Sequence, residues 1–242
     1  MIFNKIQVNL HLPNSPKEID PKYYALLWAI FDLMENNPQL ESQILSISPL
    51  IQEDKENFKF YISYIENPLT NLLLTKLLSG AVLNIDTLPF KTKSVSLTKS
   101  FDVENFQPSS NFRKVLMTFQ SPTCFSTPQK KPFMDIQPFT IYKSINNKLL
   151  KLWININLNL FQLEKNSRLI WIKNLNTSKA WIKNVFKIWF TWKLFFEFNW
   201  DEKFKQQIHY LTEVVEFVWV GLNPRLWMWN AYWKLLKSHY WK

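Results

Sequence analysis

Residues 216–235, EFVWVGLNPRLWMWNAYWKL, hold one glycine (Gly221), one arginine (Arg225) and four tryptophans. The stretch reads as a helix end, a loop and a final strand. If Trp219, Trp227 and Trp229 were glycines, its spacing would be F-x-G-x-G-x-x-x-R-x-G-x-G. Such a loop lets backbone N–H groups close on phosphates, because no side chain holds the anion away. As written, the largest side chain stands where the loop needs the smallest.

The same imbalance runs through the chain. The sequence has two glycines beside twelve tryptophans. An average composition of about 7% glycine would give about 17 in a chain of this length. Two plus twelve is 14, close to that figure. Some bacterial lineages read UGA as glycine and others read it as tryptophan. Translation under the wrong code would exchange many glycines at once and leave GGN-encoded ones such as Gly80 and Gly221 intact. The expectation is that most tryptophans are glycines in the natural protein: Trp28 in the first helix, Trp181, Trp189 and Trp192 on turns and strands, Trp200 at a strand end, and the cluster of the final loop.

Upstream of that loop, Phe204, Ile208, Leu211 and Val215 form one stripe of a helix over 202–217. Strand-like runs cover 168–174 and 184–198. Ile154, Ile156, Leu158 and Leu160 alternate with asparagines and predict a strand. Pro138 starts a helix bearing Phe139, Tyr142, Ile145 and Leu149, and Val115, Met117 and Phe119 mark a strand that ends in SPTCF. Residues 100–111, SFDVENFQPSSN, are polar and make the linker.

In the first half, Ile2, Ile6, Val8, Leu10 and Leu12 alternate with polar residues, so His11 faces away from the core. Asp20 and Pro21 suit a helix start, and Tyr24, Leu27, Trp28, Phe31 and Met34 define its apolar face up to Asn36–Pro38. A short helix over Leu40–Leu45 and a strand near Ser46–Ile51 follow. Phe58 to Tyr64 alternate as a strand, and Pro68 opens a helix that Gly80 terminates as a left-handed cap. Strands over 81–85 and 90–99 complete a βαββαβ order, which the second half repeats. The predicted fold is α+β with two tandem ferredoxin-like domains, 1–105 and 106–242.

The formal net charge of +10 suits a polyanionic partner and equally a lysine-rich solvated surface, so charge alone does not choose between them. One cysteine, Cys124, excludes an internal disulfide and a cysteine-based zinc site, and reads as a small packed residue. No uncharged apolar run reaches the roughly 18 residues of a membrane span, and no leader pattern opens the chain, so a cytoplasmic protein is expected. No metal-ligand motif or P-loop is present, and no cofactor is implied. His209 and His239 read as surface residues.

With its glycines restored, the final loop closely resembles the C-terminal signature of the CRISPR repeat-RNA processing endoribonucleases, the Cas6 family of the RAMP superfamily. The N-terminal strand, the YYALLWAIF helix, the strand ending FQSPTCF and the SKAWIKNVFKIWF segment are similar to that family in order and spacing. The resemblance implies binding of CRISPR repeat RNA and metal-independent cleavage by attack of a 2′-hydroxyl on the adjacent phosphate. That reaction needs a base, an acid and a positive group. In many members a histidine after the first helix, a tyrosine within it and a lysine share these roles.

At the matching positions this chain has Leu45 and Phe31, neither of which can move a proton. Tyr23, Tyr24 and Lys55 are the nearby substitutes, set against helix packing for the tyrosines and a solvated charge for the lysine. The implied RNA contacts are Trp219, Gly221, Arg225, Trp227 and Trp229 of the loop, with Lys114, Lys130 and Lys131 beside the SPTCF turn. Partners are repeat RNA and, in an effector complex, other CRISPR subunits. Two rivals stand beside this reading. One is a non-catalytic RNA-binding RAMP subunit; the other is a basic protein lying on anionic membranes through exposed tryptophans.

Overall fold

The computed structural model describes residues 1–13, 23–48, 50–123, 125–126, 132–133, 137–182, 185–218 and 233–236. They build a mixed α/β chain with antiparallel sheets, divided into two compact units, Met1–Asn105 and Phe106–Lys242. The expected cap at Asp20 and Pro21 and the packing of Cys124 lie outside the described residues.

The first unit comprises β1 (Ile2–His11), α1 (Tyr23–Leu33), α2 (Pro38–Gln43), β2 (Ile44–Ile47), β3 (Ile51–Gln52), β4 (Asn57–Ile65), α3 (Pro68–Leu78), β5 (Val82–Ile85) and β6 (Leu88–Asp102). The sheet order is β2-β4-β1-β6-β5, with β3 also paired to β4. Val8 sits opposite Phe60 on one side and Val95 on the other. The period-two pattern of β1 and β4 turns Ile6, Val8, Leu10, Phe58, Phe60 and Ile62 into one buried face, against which Leu26, Ile30, Leu73 and Leu77 pack. His11, at the end of β1, is half-buried.

Two local expectations are corrected. In α1 the buried stripe is Ala25, Leu26, Ala29, Ile30 and, just beyond, Met34, whereas Trp28 is exposed and Leu27 and Phe31 are only partly buried. Small Ala25 and Ala29 fit a helix face that packs closely, and nearly every residue of α1 is apolar, so periodicity alone did not choose the face. The short helix begins earlier, at Pro38 after the Asn37 cap, and Leu45 belongs to β2. By contrast, α3 is bounded as predicted. Asn67 and Thr70 form a reciprocal cap at its start, and Gly80 closes its end at φ +81°.

The second unit comprises β7 (Lys114–Thr123), β8 (Phe125–Ser126), β9 (Pro132–Phe133), α4 (Pro138–Lys151), α5 (Leu160–Asn166), β10 (Ser167–Ile182), β11 (Val185–Phe198), α6 (Glu202–Val214) and β12 (Trp233–Leu236). Its main sheet runs β10-β11-β7-β12, so the strands take the same relative places as in the first unit. Val115, Met117, Leu194 and Phe196 are buried, as are Ile141, Ile145, Ile208 and Leu211 on the helices. Tyr142 joins the elements: its ring meets Phe198 edge-on at 5.4 Å, and its hydroxyl is 2.7 Å from Thr212 Oγ1. Burial pushes its ionisation far up, so it serves as a neutral hydrogen-bonding group.

The strand expected over Ile154–Leu160 does not form, and Leu160 instead opens α5. Asn157 takes φ +52°, with its N–H donating to the Asn155 side chain, which breaks an extended run. Gln207 donates to the carbonyls of Ile156 and Asn157, satisfying groups that a neighbouring strand would otherwise have paired. The polar stretch before β7 is also more ordered than a free linker. His209 of α6 stacks on Phe112 at 4.6 Å, meets Phe106 edge-on, and accepts a hydrogen bond at Nδ1 from the Ser109 N–H. His209 is therefore a partly buried clamp and not the surface residue expected from sequence.

Candidate functional site

The positions matched to the family's proton-transfer residues are apolar in structure as well as in sequence. Phe31 lies on α1 in edge contact with Trp28 at 6.2 Å, and Leu45 is buried in β2. Tyr23 and Tyr24 open α1. Lys55 stands in the exposed turn between β3 and β4. That turn is held by Asp54, whose carboxylate accepts from the N–H groups of Glu56 and Asn57 and from the Asn57 side chain. These bonds, led by the one from the Asn57 side chain, hold the Asp54 carboxyl below its usual range. Lys59 pairs with Glu53 beside it, and Lys93 donates to Asn57. Lys55 is thus carried on a well-defined turn, its side chain in solvent.

Of the expected RNA contacts, Lys114 is described: it is exposed at the start of β7, across the ladder from Glu197. Trp219, Gly221, Arg225, Trp227, Trp229, Lys130 and Lys131 lie outside the described residues.

Strand register shows a cationic arrangement that the sequence did not. In the second unit, Val115, Met117, Leu194 and Phe196 fill the buried face of the sheet, so the pleat assigns residues 114, 116 and 118 of β7 and 193, 195 and 197 of β11 to the opposite one. Three rungs cross the sheet there. Arg168 and Lys114 flank Glu197. Next, Trp171 and Leu116 flank Phe195, with Trp171 stacked on Phe195 at 5.6 Å. In the third, Lys173 is paired with Lys193, Lys193 with Thr118, and Thr118 with Lys234. Like charges directly opposite each other in a sheet are destabilising unless something neutralises them. Five cations against one carboxylate on these rungs fit a phosphate-bearing chain laid across the strands. Sequence reasoning missed the row because its lysines come from three separate strands.

The fold is similar to those of solved Cas6 structures along nearly the whole chain. A Cas6 product complex superposes with a TM-score of 0.73 at 14% identity, covering 97% of this chain and all of the other. Thermus thermophilus Cas6 gives 0.73 at 15% identity, covering 96% and 98%. A RAMP protein described as binding different RNA substrates gives 0.58 at 12% identity, covering 97% and 100%. No protein-family profile and no curated protein matches the chain. The resemblance read from the sequence is borne out at the level of the fold. Among the described residues, no helix is long and apolar enough to cross a membrane.

Proposed function

We propose that the chain binds CRISPR repeat RNA and processes it to shorter guide RNAs in the cytoplasm, with each unit a ferredoxin-like domain, 1–105 and 106–242. The observation that carries this reading is the full-length match to Cas6 structures. The register positions of Arg168, Lys114, Lys173, Lys193 and Lys234 support it independently, because cations aligned across the strands suit the phosphates of an RNA chain. The shared strand order of the two sheets supports the domain assignment.

In the cleavage step the 2′-oxygen bonds to phosphorus as its proton passes to a base. The 5′-oxygen of the next nucleotide leaves with a proton from an acid, and a cyclic phosphate remains. Tyr23, Tyr24 and Lys55 are the candidate proton carriers, and Arg225 is the candidate phosphate ligand. Phe31 and the buried Leu45 favour a second reading, an RNA-binding RAMP subunit that does not cut. Incubating the protein with repeat RNA in EDTA separates the two. A discrete product with a cyclic phosphate end supports processing, and bound but intact RNA supports the subunit role.

A further inference from the structure

We infer that residue 153, and with it most of the twelve tryptophans, is glycine in the protein as its own cell makes it, encoded by UGA. The strongest evidence is the way α4 ends. The Trp153 N–H donates to the Leu150 carbonyl at 3.1 Å and the Ile154 N–H to the Leu149 carbonyl at 2.9 Å. This pair of bonds closes a helix only when the residue between them turns left-handed, and Trp153 has φ +63°. A Cβ is disfavoured there, which is why glycine is the usual occupant.

The same chain supplies the comparison. At the equivalent position of α3 stands Gly80, with φ +81° and its N–H bonded to the Leu77 carbonyl at 3.1 Å. At that of α1 stands Glu35, with φ +57° and the same pair of bonds as Trp153, so the position admits a Cβ at a cost and tryptophan is the bulkiest of its three occupants. Nothing in its packing compensates Trp153 for the strain, since the residue is 95% exposed.

The other tryptophans point the same way. Among the described side chains, Trp28 is 57% exposed and Trp200 39%, while Trp171, also 39% exposed, keeps a stacking contact with Phe195. Tryptophan is normally among the more buried residues. In this chain phenylalanine does that work: Phe58, Phe60, Phe90, Phe196 and Phe198 are all buried. Glycine accounts for the cap, the exposure and the count together. At positions 219, 227 and 229 it would also restore the loop whose backbone can meet phosphate.

Two measurements decide the matter without any assay of RNA. The codons of the tryptophans are read from the coding DNA, and the tryptic peptide 152–165 of the native protein is sequenced by mass spectrometry. UGA at 153 together with glycine in the peptide is the expected result. A UGG codon there, or an indole in the native peptide, overturns the inference and leaves the functional proposal standing.

Discussion

Replacing Trp153 with glycine, and separately with alanine, in the chain as written tests the left-handed cap directly. Since the indole is 95% exposed, removing it forfeits about a twentieth of the roughly 150–250 Å² that a tryptophan can bury. At about 25 cal/mol per Å² this is roughly 0.3 kcal/mol. Relief of the left-handed strain returns about 1–2 kcal/mol, and the greater freedom of glycine in the unfolded chain removes about 0.5–1 kcal/mol. Glycine should therefore be level with tryptophan or more stable by up to about 1 kcal/mol. Alanine keeps the strained Cβ, so it should fall below glycine by roughly 1 kcal/mol, the reverse of their order inside a helix. Gly80→Ala, at φ +81°, should cost a similar amount. Urea denaturation of the full-length variants reads these differences. Alanine as stable as glycine at 153, or a loss of more than about 2 kcal/mol in Trp153→Gly, would refute the argument.

Further outcomes follow from the described contacts and the proposed loop. Arg225→Ala should weaken binding to every RNA sequence, and Lys193→Ala should lower the slope of log affinity against log salt by about one; unchanged gel-shift titrations would remove these residues from the interface. His209→Ala should lower stability by about 1–2 kcal/mol, because the Ser109 N–H loses its acceptor and two rings lose a partner, while RNA cleavage stays as it was; a cleavage defect at full stability would give His209 a chemical role. Hydrogen bonds hold the carboxyls of Asp54 and Asp102 below their usual range, led by the Asn57 and Asn105 side chains respectively. A depressed folded value means that their stabilising contribution is complete above about pH 4 and is lost as pH falls through the folded values. Stability of Asp54→Ala should therefore converge on the parent in acid, and a gap that is constant with pH would contradict this assignment.

The regular parts of the fold were legible because their signals are local. Alternation fixed β1 and β4, and Pro68 with Gly80 bracketed α3. The buried face of α1 was not legible, since the run YYALLWAIFDL offers more than one apolar stripe and only the packing of Ala25 and Ala29 selects among them. Alternation also misled at Ile154–Leu160, where among the described residues no strand pairs with the run and Gln207 takes the carbonyls of Ile156 and Asn157. His209 read as a surface histidine because its partners lie a hundred residues away, across a stretch that composition marks as linker. Of the positions matched by resemblance, Phe31 falls on α1 and Leu45 in β2, and the final loop lies outside the described residues. The lysine row was not legible, because it exists only once β10, β11, β7 and β12 are in register.

The central claim is recognition of CRISPR repeat RNA, and competitive binding tests it most directly. Labelled repeat RNA from the same genome is titrated with the protein, as written and with glycine at positions 219, 227 and 229, against unlabelled RNA of scrambled sequence and against anionic liposomes. The account predicts that repeat RNA is retained against both competitors, more tightly by the glycine form, with affinity falling steeply as salt rises. Equal displacement by scrambled RNA, or transfer of the protein to the liposomes, would contradict it.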